Sequence, residues 1–329
     1  GVSVIDLTSM IGPRTLVDTI ERNPVAGVET LARESSGLII NCLTPGFVVL
    51  GVAKAFNKFL LKDFKGIKGE QLWANKNSIE DLKNVWLSDG VKNNKDRVQE
   101  FVKQALGKVS LLGDDSKYVK LSDHSKFENI TKKLADAIKS DTSNNLKPNK
   151  ELISGIKKEI VDELKAARTL KYADKDILLN IEEFVRDTYS VGKAFTKVAD
   201  DKIPAFTKQL GKLVNIKSGI GLLAVCAVAS SVQYINRAIT KKRTGVDGFV
   251  GYKNFEKGEV KKMTPEEKQK FNRKKILSSL GMAGIAAFAM KPFNPLMFQF
   301  KGILPSLNQC RLISATTNVG RIMAASDDN

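Results

Sequence analysis

The chain has one histidine, His124, and three cysteines, Cys42, Cys226 and Cys310, so the residues that most often ligate metals or act as nucleophiles are scarce. A histidine-type zinc site needs further ligands that the sequence does not supply. A Ser-His-Asp or Cys-His arrangement would have to use His124, and no serine stands in a Gly-x-Ser-x-Gly context. His124 falls at the expected first turn of a helix, which predicts a solvent-facing imidazole. The cysteines lie far apart, in or beside apolar stretches, without Cys-x-x-Cys spacing. They read as small buried hydrophobes in a reducing compartment.

Other motifs fail on specific residues. Asp141-Thr-Ser143-Asn-Asn145 loosely fits the first ligands of a calcium loop, but Leu146 stands where glycine is needed and Leu152 where a bidentate glutamate is needed. Gly219-Ile-Gly221 lacks the third glycine and the preceding strand of a dinucleotide fingerprint. The stretch Gly245-Val-Asp-Gly-Phe-Val-Gly251 has the glycines of a phosphate nest, although a surface turn is the simpler reading. The neighbouring pairs Glu182-Glu183 and Glu266-Glu267 diverge on a helix and make poor acid–base partners. The sequence therefore predicts no catalytic residue, no cofactor and no metal site, and points to a non-enzymatic protein.

The elements behind these residues are helical. With 42% apolar and 27% charged residues, the 329-residue chain can bury a core and is not a disordered polymer. From 62 to 215 apolar residues return at helical spacing: Ile79, Leu82 and Trp86; Phe127, Ile130, Leu134 and Ile138, with Ser122 as a candidate cap; Ile153, Ile156, Ile160 and Leu164; and Ile177, Ile181, Phe184 and Val185. Turn-forming residues separate them at Ser88-Asp-Gly90, Gly113-Asp-Asp115 and 141–148. The expected class is all-α: a charged helical bundle or stacked helical hairpins, joined to short apolar helices that meet a membrane.

Those apolar helices flank the charged middle. Residues Gly37 to Ala53 hold 17 positions without a charge, at the short end of a bilayer span, interrupted by Thr44-Pro45-Gly46. Asn23-Pro24 reads as the cap and first residue of the helix before them. A second uncharged run covers 218–236 and a third covers 276–290, whose helix starts at the capping box Thr264-Pro265-Glu266-Glu267. Segment 237–275 between them holds 13 Lys and Arg against 5 Asp and Glu. Two apolar helices with a basic connection match a membrane hairpin whose loop faces the cytoplasm. Ala224, Ala227, Gly281 and Gly284 are small enough to let two helices pack closely.

The net charge of +17 must face something: its usual partners are the phosphates of lipid head groups or of nucleic acid, although Lys-rich solvated helix faces also occur in proteins that bind neither. Basic residues next to apolar runs favour lipid, with Lys241, Lys242, Arg243, Arg273, Lys274 and Lys275 as the expected anion contacts. The expected organisation is an apolar helical segment 1–61, a cytoplasmic charged helical domain 62–215, an apolar hairpin with its basic loop 216–305, and a terminal helix and tail 306–329. The expected role is that of a membrane-associated structural, scaffolding or accessory protein that binds anionic lipids, with the bulk of the chain cytoplasmic. A protein partner or a homo-oligomer is compatible with this reading. The alternatives are a soluble nucleic-acid-binding protein, since Phe249, Tyr252 and Phe255 lie among the lysines of the same segment, and a pore-forming membrane-inserting protein.

Overall fold

The structure, a computed structural model, describes residues 11–21, 24–40, 44–113, 115–164, 166–244, 264–290 and 298–324. The elements in chain order are α1 (Gly12–Glu21), α2 (Pro24–Leu38), α3 (Thr44–Leu60), α4 (Lys76–Trp86), α5 (Asp89–Lys92), α6 (Arg97–Gly107), β1 (Val109–Gly113), β2 (Tyr118–Lys120), α7 (Phe127–Ser140), α8 (Lys150–Leu164), β3 (Ala166–Tyr172), β4 (Lys175–Asn180), α9 (Ile181–Phe195), α10 (Ile203–Thr244), α11 (Pro265–Ala289) and α12 (Leu307–Ala324). Helices dominate, as the periodicity predicts. They divide between two compact units: one drawn from residues 1–49, 220–298 and 302–329, the other from 50–219 with 299–301.

The second unit has a continuous apolar core. The predicted stripes supply it: Ile79, Leu82 and Trp86 from α4, Ile130, Leu134 and Ile138 from α7, and Ile153, Ile156 and Ile160 from α8 are all buried. Helix α9 is its axis, packed against α4, α6, α7 and α8. Local chemistry fixes the helix starts. Asn75 caps α4 by accepting from Ser78 N, and Asp96 caps α6 by accepting from Gln99 N. Trp86 meets Phe101 edge-on at 5.2 Å. Phe101 can lie against α9 because residue 192 is glycine; a Cβ there would come within 2.7 Å of its ring.

This unit also contains a small antiparallel sheet of order β2-β1-β3-β4, which the helical periodicity did not foretell. Hairpin β3–β4 turns on Ala173 and Asp174, both at positive φ, as a two-residue turn requires. The stripe read as one helix through Ile177, Ile181, Phe184 and Val185 is therefore split. Ile177 falls in β4, and the helix starts at Ile181 behind a capping box made by Asn180 and Glu183. His124 also differs from expectation: it is buried, ahead of α7, and its Nδ1 accepts from Lys126 N at 3.0 Å. Ser122 lies in a 3-10 turn, and Lys126 takes the cap position of α7.

In the first unit α1 packs on α2, and α11 on α12. Pro24 opens α2 as predicted, while Asn23 lies outside the described residues. Thr264 and Glu267 form the predicted capping box of α11: Thr264 N donates to Glu267 at 2.8 Å and Glu267 N to Thr264 Oγ1 at 3.3 Å. The uncharged run 218–236 belongs to a much longer helix than expected, since α10 already begins at Ile203. At 42 residues and 1.5 Å per residue it is roughly 60 Å long.

Candidate functional site

The surface of the first unit is its most distinctive property. All but two of the large apolar side chains exposed among the described residues lie in it, the exceptions being Phe59 and Tyr118. Leu223 is 71% exposed, Leu277 72% and Phe288 74%. On α11 the exposed Ile276, Leu277, Leu280, Ile285 and Phe288 span about half of the helix circumference at 100° per residue. An amphipathic surface helix of a water-soluble protein buries such residues on one side. Contiguous exposed apolar surface of this kind marks a place where something other than water is met.

Among the described helices, α10 alone is long and apolar enough to cross a membrane, and only 39% of its most apolar stretch is buried. Its uncharged part, 218–236, is about 28 Å long, close to the ~30 Å hydrocarbon thickness of a bilayer. The other two runs fall short. Residues 37–56 are divided between α2 and α3, with 41–43 outside the described residues. The run 276–290 lies in α11 directly after Arg273-Lys274-Lys275, which leaves it about 20 Å of uncharged helix. Of the two apolar runs of the expected hairpin, one thus lies in a helix long and apolar enough to cross a membrane and the other does not.

Polar contacts gather at one end of this unit. Asn236 Nδ2 donates to Ser36 Oγ at 3.1 Å, and Thr240 Oγ1 donates to Glu29 Oε1 at 3.0 Å. Arg14, Arg33 and Arg321 all reach the carboxylate of Glu34, at 3.5, 3.7 and 3.1 Å. Arg237 Nη1 donates to Ala324 O at 2.6 Å and Lys275 Nζ to Met323 O at 3.2 Å. The last carbonyls of α12 are thereby satisfied by two cations, which also suit the negative end of its dipole. Partial burial, with Arg237 nearby, lowers the pKa of Lys275.

These bonds place the predicted basic residues. Lys275 is tied to the end of α12, and its ammonium also lies 4.4 Å from the Phe271 ring. Lys241 and Lys242 follow Arg237 by about one turn and are exposed, as are Arg273 and Lys274. The side chain of Arg243 and the stretch 245–251 lie outside the described residues. The predicted packing residues fare differently. Gly281 and Gly284 are exposed with nothing within 4 Å of a Cβ, Ala227 is exposed and Ala224 is half-buried. Close helix approaches fall instead at Gly27 on α2, where a Cβ would lie 3.1 Å from Thr15 O on α1, and at Gly320 on α12, where a Cβ would lie 2.4 Å from Ser230 O on α10.

Three ionic groups inside the second unit escaped sequence reasoning. Lys193, fully buried, ion-pairs with Asp141 and donates to Asn145 O at 2.6 Å and Ser143 Oγ at 3.2 Å. Tyr189 Oη donates to the same carboxylate at 2.7 Å. Desolvation works to raise the Asp141 pKa, but the hydrogen bonds from Lys193, Tyr189 and Ser143 outweigh it and hold the carboxyl well below its usual range. The loop whose first residues loosely fit a calcium site is thus organised around a lysine ammonium. Asp187 is also buried and accepts from Arg186 Nη2 at 3.0 Å. Burial pushes its carboxyl up to about 6 despite Arg186. Lys217, the third, is buried immediately before the uncharged run, and burial pulls its pKa well below that of a free lysine.

Among the described residues, no group of three or more His, Cys, Asp and Glu side chains is arranged to hold a metal ion. Comparison of the chain with protein-family models, with curated proteins and with solved structures finds no match.

Proposed function

We propose that this chain is a membrane-anchored, non-enzymatic helical protein of structural or accessory role, held by α10 crossing the bilayer through residues 218–236. The observation that carries this reading is the contrast in exposed apolar side chains. The second unit encloses its apolar residues in a core, whereas the first presents Leu223, Leu277, Leu280, Ile285 and Phe288 outward. Lipid tails are the surroundings in which such a surface carries no hydration cost. The exposed basic residues Lys241, Lys242, Arg273 and Lys274 are then the contacts for anionic head groups, each contributing about 1 kcal/mol near the surface.

An uninterrupted crossing helix has a topological consequence. The stretches that directly flank 218–236 fall on opposite sides of the bilayer, so domain 62–215, which leads into residue 218, and the basic connection, which follows residue 236, cannot both be cytoplasmic. The Lys and Arg bias of the short connection assigns it to the cytoplasmic side, and long domains are translocated largely regardless of their charge. The second unit then lies on the far side.

Impermeant-maleimide labelling of intact cells tests this, in a chain whose native cysteines are replaced and a single cysteine is introduced at Lys92 or Lys268, both exposed. The expected result is labelling of Lys92→Cys alone until the membrane is opened. Equal labelling of both positions in intact cells contradicts a crossing α10.

A further inference from the structure

A cleft of about 370 Å³ lies in the second unit between α4 and the first turns of α10. Lys76 and Lys83 line it from α4, and Lys208 and Lys212 from α10, with Thr207 and Asn215 as neutral polar neighbours. Lys76 and Lys83 are seven residues apart, on one face and about 10 Å apart along the axis. Lys208 and Lys212 are one turn apart on theirs. Glu80 is the only carboxylate of the lining, and it is already paired with Lys83. Among the described residues the side chains of Lys76, Lys208 and Lys212 have no ion pair or hydrogen bond.

The lining concentrates positive charge, with Glu80 as its one carboxylate. Lys208 and Lys212 repel each other at i,i+4, and Lys76 occupies the first residue of α4, at the positive end of its dipole. The stem of Lys76 lies against Gly211, where a Cβ would sit 3.4 Å from its Cγ. An anion in the cleft relieves all of these repulsions together. Its chemistry follows from the lining: there are four ammonium groups and no aromatic ring on which a base could stack. The volume is at the lower end of that of small-ligand sites.

We propose that this cleft binds a small phosphorylated ligand carrying at least two negative charges, recognised through its phosphate groups. Lys212 precedes the uncharged run by six residues, about 9 Å along the helix and within a Debye length or so of any surface that run enters. The phosphate is therefore either that of a free metabolite or that of a phosphomonoester lipid head group. The site lies within the second unit and does not depend on α10 crossing a membrane.

Lysine acetylation footprinting, read by mass spectrometry on the full chain, tests it in two arms. One arm adds inorganic pyrophosphate to the protein in neutral detergent. The other compares reconstitution into phosphatidylcholine vesicles with and without phosphatidic acid. The expected result is a roughly tenfold slowing of acetylation at Lys76, Lys208 and Lys212 in at least one arm, with Lys92 unchanged as the surface control. Protection by pyrophosphate identifies a soluble ligand as sufficient, and protection by phosphatidic acid alone identifies the head group. The variant Lys208→Ala/Lys212→Ala, checked for an unchanged circular dichroism spectrum, is expected to lose the protection at Lys76. Absence of protection in both arms overturns the proposal, as does equal slowing at Lys92. Protection of these lysines by a single-stranded oligonucleotide but not by pyrophosphate or phosphatidic acid also overturns it, in favour of nucleic acid.

Discussion

The ammonium of Lys217 lies 3.4 Å from the centre of the Trp73 ring and donates to Glu70 O at 2.9 Å and Leu72 O at 2.8 Å. One residue later the uncharged run of α10 begins. A buried cation at that point fastens this part of α10 to segment 70–73 within the second unit. Lys217→Ala leaves two carbonyls without their donor and opens space beside Trp73; the expected loss is about 3 kcal/mol of stability in the second unit. Lys217→Met keeps the stem and is expected to lose less. Urea unfolding of the full chain in detergent, followed by tryptophan fluorescence, ranks the two variants.

Asp187 predicts a pH dependence. Its carboxyl is raised from 3.8 to about 6 by burial, so the folded state binds its proton more tightly than the unfolded state does. Its contribution is fully present below the unfolded pKa of 3.8 and is lost as pH rises through about 6. The difference between 3.8 and about 6 corresponds to about 3 kcal/mol. Asp187→Asn is expected to flatten the stability profile of the second unit between those two values, as measured by denaturant midpoints across that range.

The opposite sign holds at Asp141, whose carboxyl is held low by Lys193, Tyr189 and Ser143. Its stabilisation is present above the unfolded value of 3.8 and disappears as pH falls through the lower folded value. Lys193→Ala strips the loop of its central cation and leaves the Asn145 carbonyl without this donor. We expect a loss of about 3 kcal/mol, together with rapid amide hydrogen exchange in residues 141–148.

Gly320 and Gly281 separate tight packing from open surface. A Cβ at Gly320 meets the Ser230 carbonyl at 2.4 Å, so Gly320→Ala is expected to push α12 from α10 and lower the thermal midpoint of the detergent-solubilised protein, at a cost of about 1–3 kcal/mol. Gly281→Ala and Gly284→Ala face open space and are expected to be neutral or to stabilise α11 by up to about 1 kcal/mol through helix propensity.

The amphipathic helices of the second unit were legible because burial on one face leaves a 3.6-residue signature; Ile130, Leu134 and Ile138 are where that signature puts them. The capping box at Thr264 was legible because the cap is a local interaction. The sheet was missed because Ile177 stands four residues before Ile181, which mimics a helical repeat across a strand–helix boundary. The signal that marks the boundary, Asn180 with Glu183 three residues on, was present in the sequence. Buried Lys193 and Lys217 left no such trace, since a lysine's burial depends on carbonyls contributed by segments far away in sequence. Small residues at 281 and 284 suggested a crossing, but spacing alone does not reveal which small residue meets a neighbour, and Gly320 does.

Fractionation of cells expressing the chain, with successive high-salt and alkaline washes, distinguishes an α10 that crosses a bilayer from one that does not. A helix buried in lipid is held by its apolar surface, which neither wash weakens enough to release it. The protein is expected to stay in the membrane pellet through both. Release by salt alone, or recovery in the soluble fraction from the start, contradicts the account.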